Sequence, residues 1–224
     1  MANDYSENKV KYSFLYEKKA ISVFAKLDYT LRGGIHMQRE CPVDVNLFRF
    51  LNENFESLKE YYKDIFNLNL RKEGNEFNHY YYLELNEDGK SNVSSDHRDY
   101  LKSEFIIIGM LFLKMHKLDG NIELDNISDF TILLYEEYEE EKNALRKLIN
   151  DNSSDKGTDT TDQRFEEIVK KSFAKFGDLG WLIWEDESEK NKFKMLPSFE
   201  RLRVAYQPQI ETIDDLIKEV KNAE

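Results

Sequence analysis

The amino-acid sequence predicts a mainly α-helical protein with short β-hairpins, an α+β class, on three observations. Most of the chain repeats apolar residues at spacings of three and four, the period of a helix. Two stretches break that period, at about 68–85 and 181–196, where short apolar or aromatic runs flank a polar tip as hairpin strands do. Each hairpin also follows a helix-like run, and the second is followed by another helix. Helix, hairpin and helix make the closing half of a winged-helix domain, so the expected architecture is tandem winged-helix domains. The boundaries read as a flexible N-terminus at 1–13, an N-terminal winged-helix domain with long helices at 14–150, a linker at 151–162, and a C-terminal winged-helix domain with an amphipathic tail helix at 163–224.

The elements follow in order. From Phe14 to Leu31, Ile21, Phe24, Leu27 and Leu31 mark the inward face of a helix, and Gly33 or Gly34 offers a left-handed C-cap. Asp44 caps a second helix with Leu47, Phe48 and Leu51 inward, and a third runs from Phe55 to Phe66. The first hairpin turns at Gly74 and returns on the aromatic run "YYYLEL". Ser95 is placed to cap a long helix reaching about Leu118, whose apolar centre predicts a central position. "NISDFTILLYEEYEEEKNALRKLIN" predicts one further long helix with Ile127, Phe130, Leu134, Tyr138, Leu145 and Leu148 near one stripe. The segment Asp151 to Asp162 has no apolar residue, and Asp162 is set to cap a helix carrying Phe165, Ile168, Val169, Phe173 and Phe176. Pro197 suits the first turn of a helix after the second hairpin. At the tail, Thr212 caps a run that puts Ile213, Leu216, Ile217 and Val220 on one side.

Charge limits the functions on offer. The 224 residues carry 32 Lys+Arg against 44 Asp+Glu, a formal net charge of -12, which repels a free duplex. The single cysteine, Cys41, excludes an internal disulfide and fits a reducing compartment. The run "FIIIGMLFL" is far short of the roughly 20 residues of a membrane helix, and the N-terminus lacks a signal-peptide core. A soluble cytoplasmic protein without membrane partners is expected.

Little in the chain points to catalysis. The histidines His36, His79, His97 and His116 have no metal-ligand spacing among themselves or with Cys41, so all four are expected to be structural or solvent-facing. The acids of "EDESEK" lie at a hairpin tip, too mobile to preorganise Mg²⁺ for a nuclease on Glu187 or Glu189. No phosphate-binding glycine loop or nucleophile elbow is present. The reading is a non-enzyme with no cofactor, no metal and no catalytic residue. Basic residues do gather near the second hairpin, and Lys192, Lys194, Arg201 and Arg203 are the candidates for DNA contact. Between Phe176 and Leu202, however, Asp178, Glu185, Asp186, Glu187, Glu189 and Glu200 outnumber Lys190, Lys192, Lys194 and Arg201, so a solvated strand face is the stronger reading. Trp181 and Trp184 are three apart and so fall on opposite strand faces, one inward and the other either free for a partner or lying beneath the C-terminal tail. Trp184 and the tail residues Ile213, Leu216, Ile217 and Val220 are the candidate partner contacts.

Five blocks in this order resemble one family. They are "VFAKLDYTLRGGIH", "LFRFLNENFESLKEYYKDIFNLNL", "YYYLEL", "TDTTDQRFEEIVKKSFAKFGDLGWL" and "NKFKMLPSFERLR", covering roughly Val23 to Val204. The chain is similar to MukE and its relative MksE, accessory subunits of bacterial condensin-like complexes built on an SMC ATPase. Composition and length are nearer to MksE, and the first hairpin and its following loop are longer than the family pattern. The resemblance implies a non-catalytic tandem winged-helix homodimer. It would bind a kleisin subunit (MukF/MksF-like) and through it an SMC ATPase (MukB/MksB-like). Its role would lie in chromosome condensation and segregation or in plasmid defence, nucleoid-associated, with DNA reached mainly through the assembled complex. The alternative class is a winged-helix transcriptional regulator gripping promoter DNA directly, which the net charge disfavours.

Overall fold

The computed structural model describes residues 11–40, 44–86, 91–93, 101–152 and 161–213. The chain divides into two compact units, Met1–Asp99 and Tyr100–Glu224. The sequence puts a division at 151–162. Instead, the helices between 103 and 152 pack on the helix that follows that segment, sharing one apolar core with it.

In the first unit the order is α1 (Ala20–Arg32), β1 (Met37–Gln38), α2 (Val45–Glu53), α3 (Phe55–Tyr61), β2 (Leu68–Glu73) and β3 (Tyr80–Leu85). A short 3-10 turn, Ser13–Tyr16, precedes them and buries Phe14 completely, so an anchored residue follows the N-terminal segment expected to be loose. The inward face of α1 is Ala20, Leu27, Thr30 and Leu31; Ile21 is 91% exposed. Because the helix starts only at Ala20, Ile21 sits in its first turn and Phe14 fills the core from outside it. Gly34 takes φ 81 just beyond Arg32 and provides the left-handed residue of the cap. Asp44 caps α2 by accepting from the Asn46 amide at 2.9 Å. After α3 the backbone widens into a π-turn, Tyr62–Phe66, ending on left-handed Asn67. The sheet runs β1-β3-β2, all antiparallel, with Leu68 opposite Leu85 and Met37 opposite Tyr81. Gly74 (φ 93) makes the turn, where an added Cβ would stand 2.3 Å from the Asn78 carbonyl oxygen.

The second unit comprises α4 (Ser103–Leu113), α5 (Ile127–Glu136), α6 (Glu139–Asn152), α7 (Asp162–Asp178), β4 (Leu182–Trp184), β5 (Phe193–Met195) and α8 (Glu200–Glu211). Helix α4 begins at Ser103, after Lys102; Ser95 lies outside the described residues. It continues into a second π-turn, Lys114–Leu118. Its apolar surface packs against α6, α7 and α8, as its composition anticipates. The single long helix expected from 127 to 150 is two, broken at Glu137 and Tyr138. An unbroken helix would stack Glu136 on Glu140 and Glu137 on Glu141, a like-charge repulsion. The break instead puts Glu139, Glu140 and Glu141 in a new first turn, where the helix dipole favours them. Thr161, not Asp162, caps α7, accepting from the Arg164 amide at 3.2 Å. Asp162 is thereby released to accept from Arg146 Nη2 at 2.7 Å and from the Tyr135 hydroxyl at 3.1 Å. Pro197 opens a 3-10 turn leading into α8, which kinks at Tyr206 ahead of Pro208. Among the described residues, no helix is long and apolar enough to cross a membrane.

Candidate functional site

The second hairpin carries Trp184, Lys192 and Lys194 among the residues singled out from sequence. Its strands are three residues each, pairing Leu182 with Met195 and Trp184 with Phe193. It is fastened beside its tip, at residues 191–193, to the start of α5. The Phe193 amide donates to the Asp125 carbonyl at 2.7 Å and the Ile127 amide to the Asn191 carbonyl at 3.0 Å, while Asn126 forms a β-bridge with Lys192. Asn191 Oδ1 also accepts from the amide and hydroxyl of Ser128, at 3.1 and 2.9 Å. The hairpin is thus a third-strand arrangement, with the residue ahead of α5 pairing along β5.

Both tryptophans are buried, at 5% and 7% exposure. Parity fails because Trp181 precedes β4 and leaves the α7 turn, stacking on Phe176 at 5.6 Å and lying against Phe199. Trp184, in the strand, meets Phe193 edge-on and lies over Gly177, where a Cβ would come within 2.7 Å of its Nε1. Trp184 therefore belongs to the core and presents no free face. In the tail, Ile213 is 7% exposed and joins the same core beside Ile210. Leu216, Ile217 and Val220 lie outside the described residues.

The four candidate DNA-contacting bases do not form one site. Lys192 and Lys194 project from one side of β5, opposite Phe193. Lys192 is engaged by Glu185 Oε2 at 3.3 Å and Asp125 Oδ2 at 3.6 Å, and the Glu185 hydrogen bond, then the Asp125 charge, holds its ammonium above the usual lysine range. Arg201 and Arg203 stand two apart on α8, about 200° around the helix, so they face different ways. Arg203 is paired with Glu200 and reaches Gln207 Oε1 at 3.4 Å. Asp125 was not legible as a partner for Lys192 because it lies far away in sequence; the isolated bridge at Asn126 is what brings it there.

The histidines are ring-packed. His36, 3% exposed, stacks on Tyr82 at 5.1 Å; His79 stacks on Phe48 and contacts Asn52 Oδ1 at 3.2 Å; His116 lies against Phe112 at 5.7 Å. Cys41 and His97 fall outside the described residues. Among the described residues, no three His, Cys, Asp or Glu side chains gather at metal-binding distance.

The block "LDYTLRGGIH" does structural work. Asp28 Oδ2 accepts from Arg32 Nε at 3.0 Å, Arg32 lies 5.3 Å over the ring of Phe66, and Leu27 and Leu31 are fully buried. The Arg32–Phe66 contact ties α1 to the π-turn, and burial, then the Asp28 charge, pushes the hydroxyl of Tyr62 well above the usual tyrosine range.

The sequence pattern of the family described as "Condensin complex protein MksE" matches residues 22–206. The chain belongs to the MksE family. The match starts in the first turns of α1 and ends in α8, so it includes the hairpin of each unit. It makes the chain a condensin complex accessory protein of the MukE/MksE type. None of the curated proteins compared with it matches.

Proposed function

We propose that this MksE-family chain is a non-catalytic adaptor that binds the kleisin subunit of a condensin-like complex and, through it, an SMC ATPase. The observation that carries this reading is the family match over both units. The element order supports the further reading that each unit is a winged helix used chiefly on proteins. In the first unit, helix, short strand, two helices and a hairpin give the sheet order β1-β3-β2. In the second, the Asn126 bridge takes the place of β1, with α6 added between the helices. A surface of net charge -12 suits protein partners better than naked DNA. DNA contact is then made in the assembled complex, by a homodimer of the chain in the nucleoid. Chromosome organisation and defence against plasmids both fit this role.

The test is a tagged pull-down from native cells at moderate salt with nuclease present, read by mass spectrometry. Recovery of a kleisin together with a long coiled-coil ATPase is expected. Absence of both, with the bait folded and abundant, would sink the adaptor reading. Charge reversal at Lys192, Lys194, Arg201 and Arg203 should leave kleisin recovery unchanged and weaken DNA retention by the whole complex; unchanged retention would make these residues solvated faces.

A further inference from the structure

On the first unit, a groove of about 530 Å³ runs between α3 and β2. One wall is Leu68 to Lys72, consecutive residues of β2. Side chains alternate faces along a strand, so an uninterrupted run lines a groove only when the groove follows the strand's edge. β2 is that edge in the order β1-β3-β2, and among the described residues no backbone group pairs with its outer side. The opposite wall is Phe55, Lys59 and Lys63. An unpaired strand edge beside a helix is the geometry that accepts an added strand.

The lining defines the chemistry. Leu68 and Leu70 underlie the groove but are almost fully buried in the unit's own core, so half-buried Phe55 is its more accessible apolar side chain. Its rim carries Lys59, Lys63, Arg71 and Lys72 and no carboxylate. Arg71 is satisfied by Glu84 at 2.8 Å and Lys63 by Asn86 Oδ1 at 2.7 Å. Lys59 and Lys72 lie over the rings of Phe55 and Tyr81, at 5.8 and 5.5 Å, and neither is ion-paired to a carboxylate among the described residues. A basic rim persists here on a chain whose net charge is -12.

We infer that the groove between α3 and the outer edge of β2, unpaired among the described residues, takes an extended acidic peptide segment of a partner protein, added as a further strand antiparallel or parallel to β2. On the strand face shared by Leu68, Leu70 and Lys72, an apolar side chain of that segment packs on Phe55 and a carboxylate two residues along meets Lys59 and Lys72. A DNA duplex fits less well, because its phosphates would satisfy the rim and leave Phe55 and the backbone edge unused. The inference goes beyond the adaptor reading, since it specifies the mode and chemistry of one contact and holds whichever protein supplies the strand.

The test uses the full-length chain and a labelled synthetic peptide of about ten residues that alternates valine and glutamate along one face, with threonine at the intervening positions, the pattern that an added strand needs. Fluorescence anisotropy should show saturable binding. N-methylating one alternate set of peptide amides should weaken it by about tenfold or more, and the other set much less, because only one set faces β2. The double variant Lys59→Glu/Lys72→Glu, whose heads are exposed, should lose binding by a similar factor with its circular dichroism unchanged. Hydrogen exchange should slow along 68–73. Equal binding by both methylated peptides would reduce the contact to bulk electrostatics and overturn the inference. So would binding of a short DNA duplex, but not of the peptide, in a manner lost in the double variant. The pull-down reports on the adaptor role independently: a kleisin recovered with an inert groove leaves that role standing and removes this one.

Discussion

Gly109 shows at the residue scale how closely α4 approaches its neighbours. A Cβ there would stand 2.4 Å from Leu202 Cδ2 on α8 and 3.1 Å from Phe176 Cζ on α7. Both neighbours are almost fully buried, so neither has open space to move into. Gly109→Ala is expected to destabilise the second unit by about 1–3 kcal/mol, the usual cost of overpacking a filled core, despite the alanine's better helix propensity. Denaturant melts of the two proteins decide it, and a stabilised variant would mean the helices yield easily. His116 supplies a pH effect. Burial, then the neighbouring Lys117, lowers its pKa below 6.5, and its Nδ1 is buried without a partner. The neutral ring is therefore the form that fits. Its contribution to stability is complete above about pH 6.5 and declines as the pH falls toward the lowered folded value. Melting temperature should drop between pH 7.5 and 5.5, and more steeply than in His116→Phe. Parallel slopes for the two would remove His116 as the cause.

For single elements, the sequence was most readable where a local rule acts alone. Both hairpins, the Asp44 cap, the glycine after α1 and the proline before α8 each follow from a few adjacent residues. It was least readable where distant residues compete. Ile21 matches the helical stripe but loses its core position to Phe14, and Trp184 turns inward because Trp181 sits outside its strand. Lys59 and Lys63 have the spacing of an ordinary solvated helix face, and only β2 packed opposite makes them a groove wall. The α7 cap offers a direct test of one such correction. Thr161→Ala should cost about 1 kcal/mol through the lost bond to the Arg164 amide. Asp162→Asn should act differently, by weakening the ties to Arg146 and Tyr135 that hold α5 and α6. If Asp162→Asn alone exposed the α7 N-terminus to faster amide exchange, the cap assignment would revert to Asp162.

The whole molecule has two cores with separate membership. Phe14, Leu27, Phe50, Leu51 and Tyr62 anchor one, and Phe112, Phe130, Phe165, Phe173 and Phe176 the other. Each is rich enough in buried aromatics to sustain a small domain. Residues 1–99 and 100–224, expressed apart, are each expected to melt cooperatively, whereas a division at 151 would strip α4 to α6 from α7, leaving 151–224 unfolded and 100–150 an unfolded extension of a still-folded first unit. Calorimetry of the four fragments distinguishes the two divisions. The linker-like composition after residue 150 gave no warning of this, because a segment without apolar residues can join two helices of one core as readily as two domains.

The staple between the second hairpin and the start of α5 bears on the order of events during synthesis. Ser128 and Asn191 are 63 positions apart in the chain, and the bridge at Asn126 spans a similar interval. The long hairpin of the first unit closes over a short turn at Gly74. Contact order is thus low for that hairpin and high for the second sheet, and closing a long loop slows the search for native pairing. A ribosome would release the first unit already able to zip its hairpin. The second has to keep the apolar faces of α4 and α5 waiting until residues near 193 emerge, and over that interval the nascent chain is most exposed to aggregation and most in need of a chaperone.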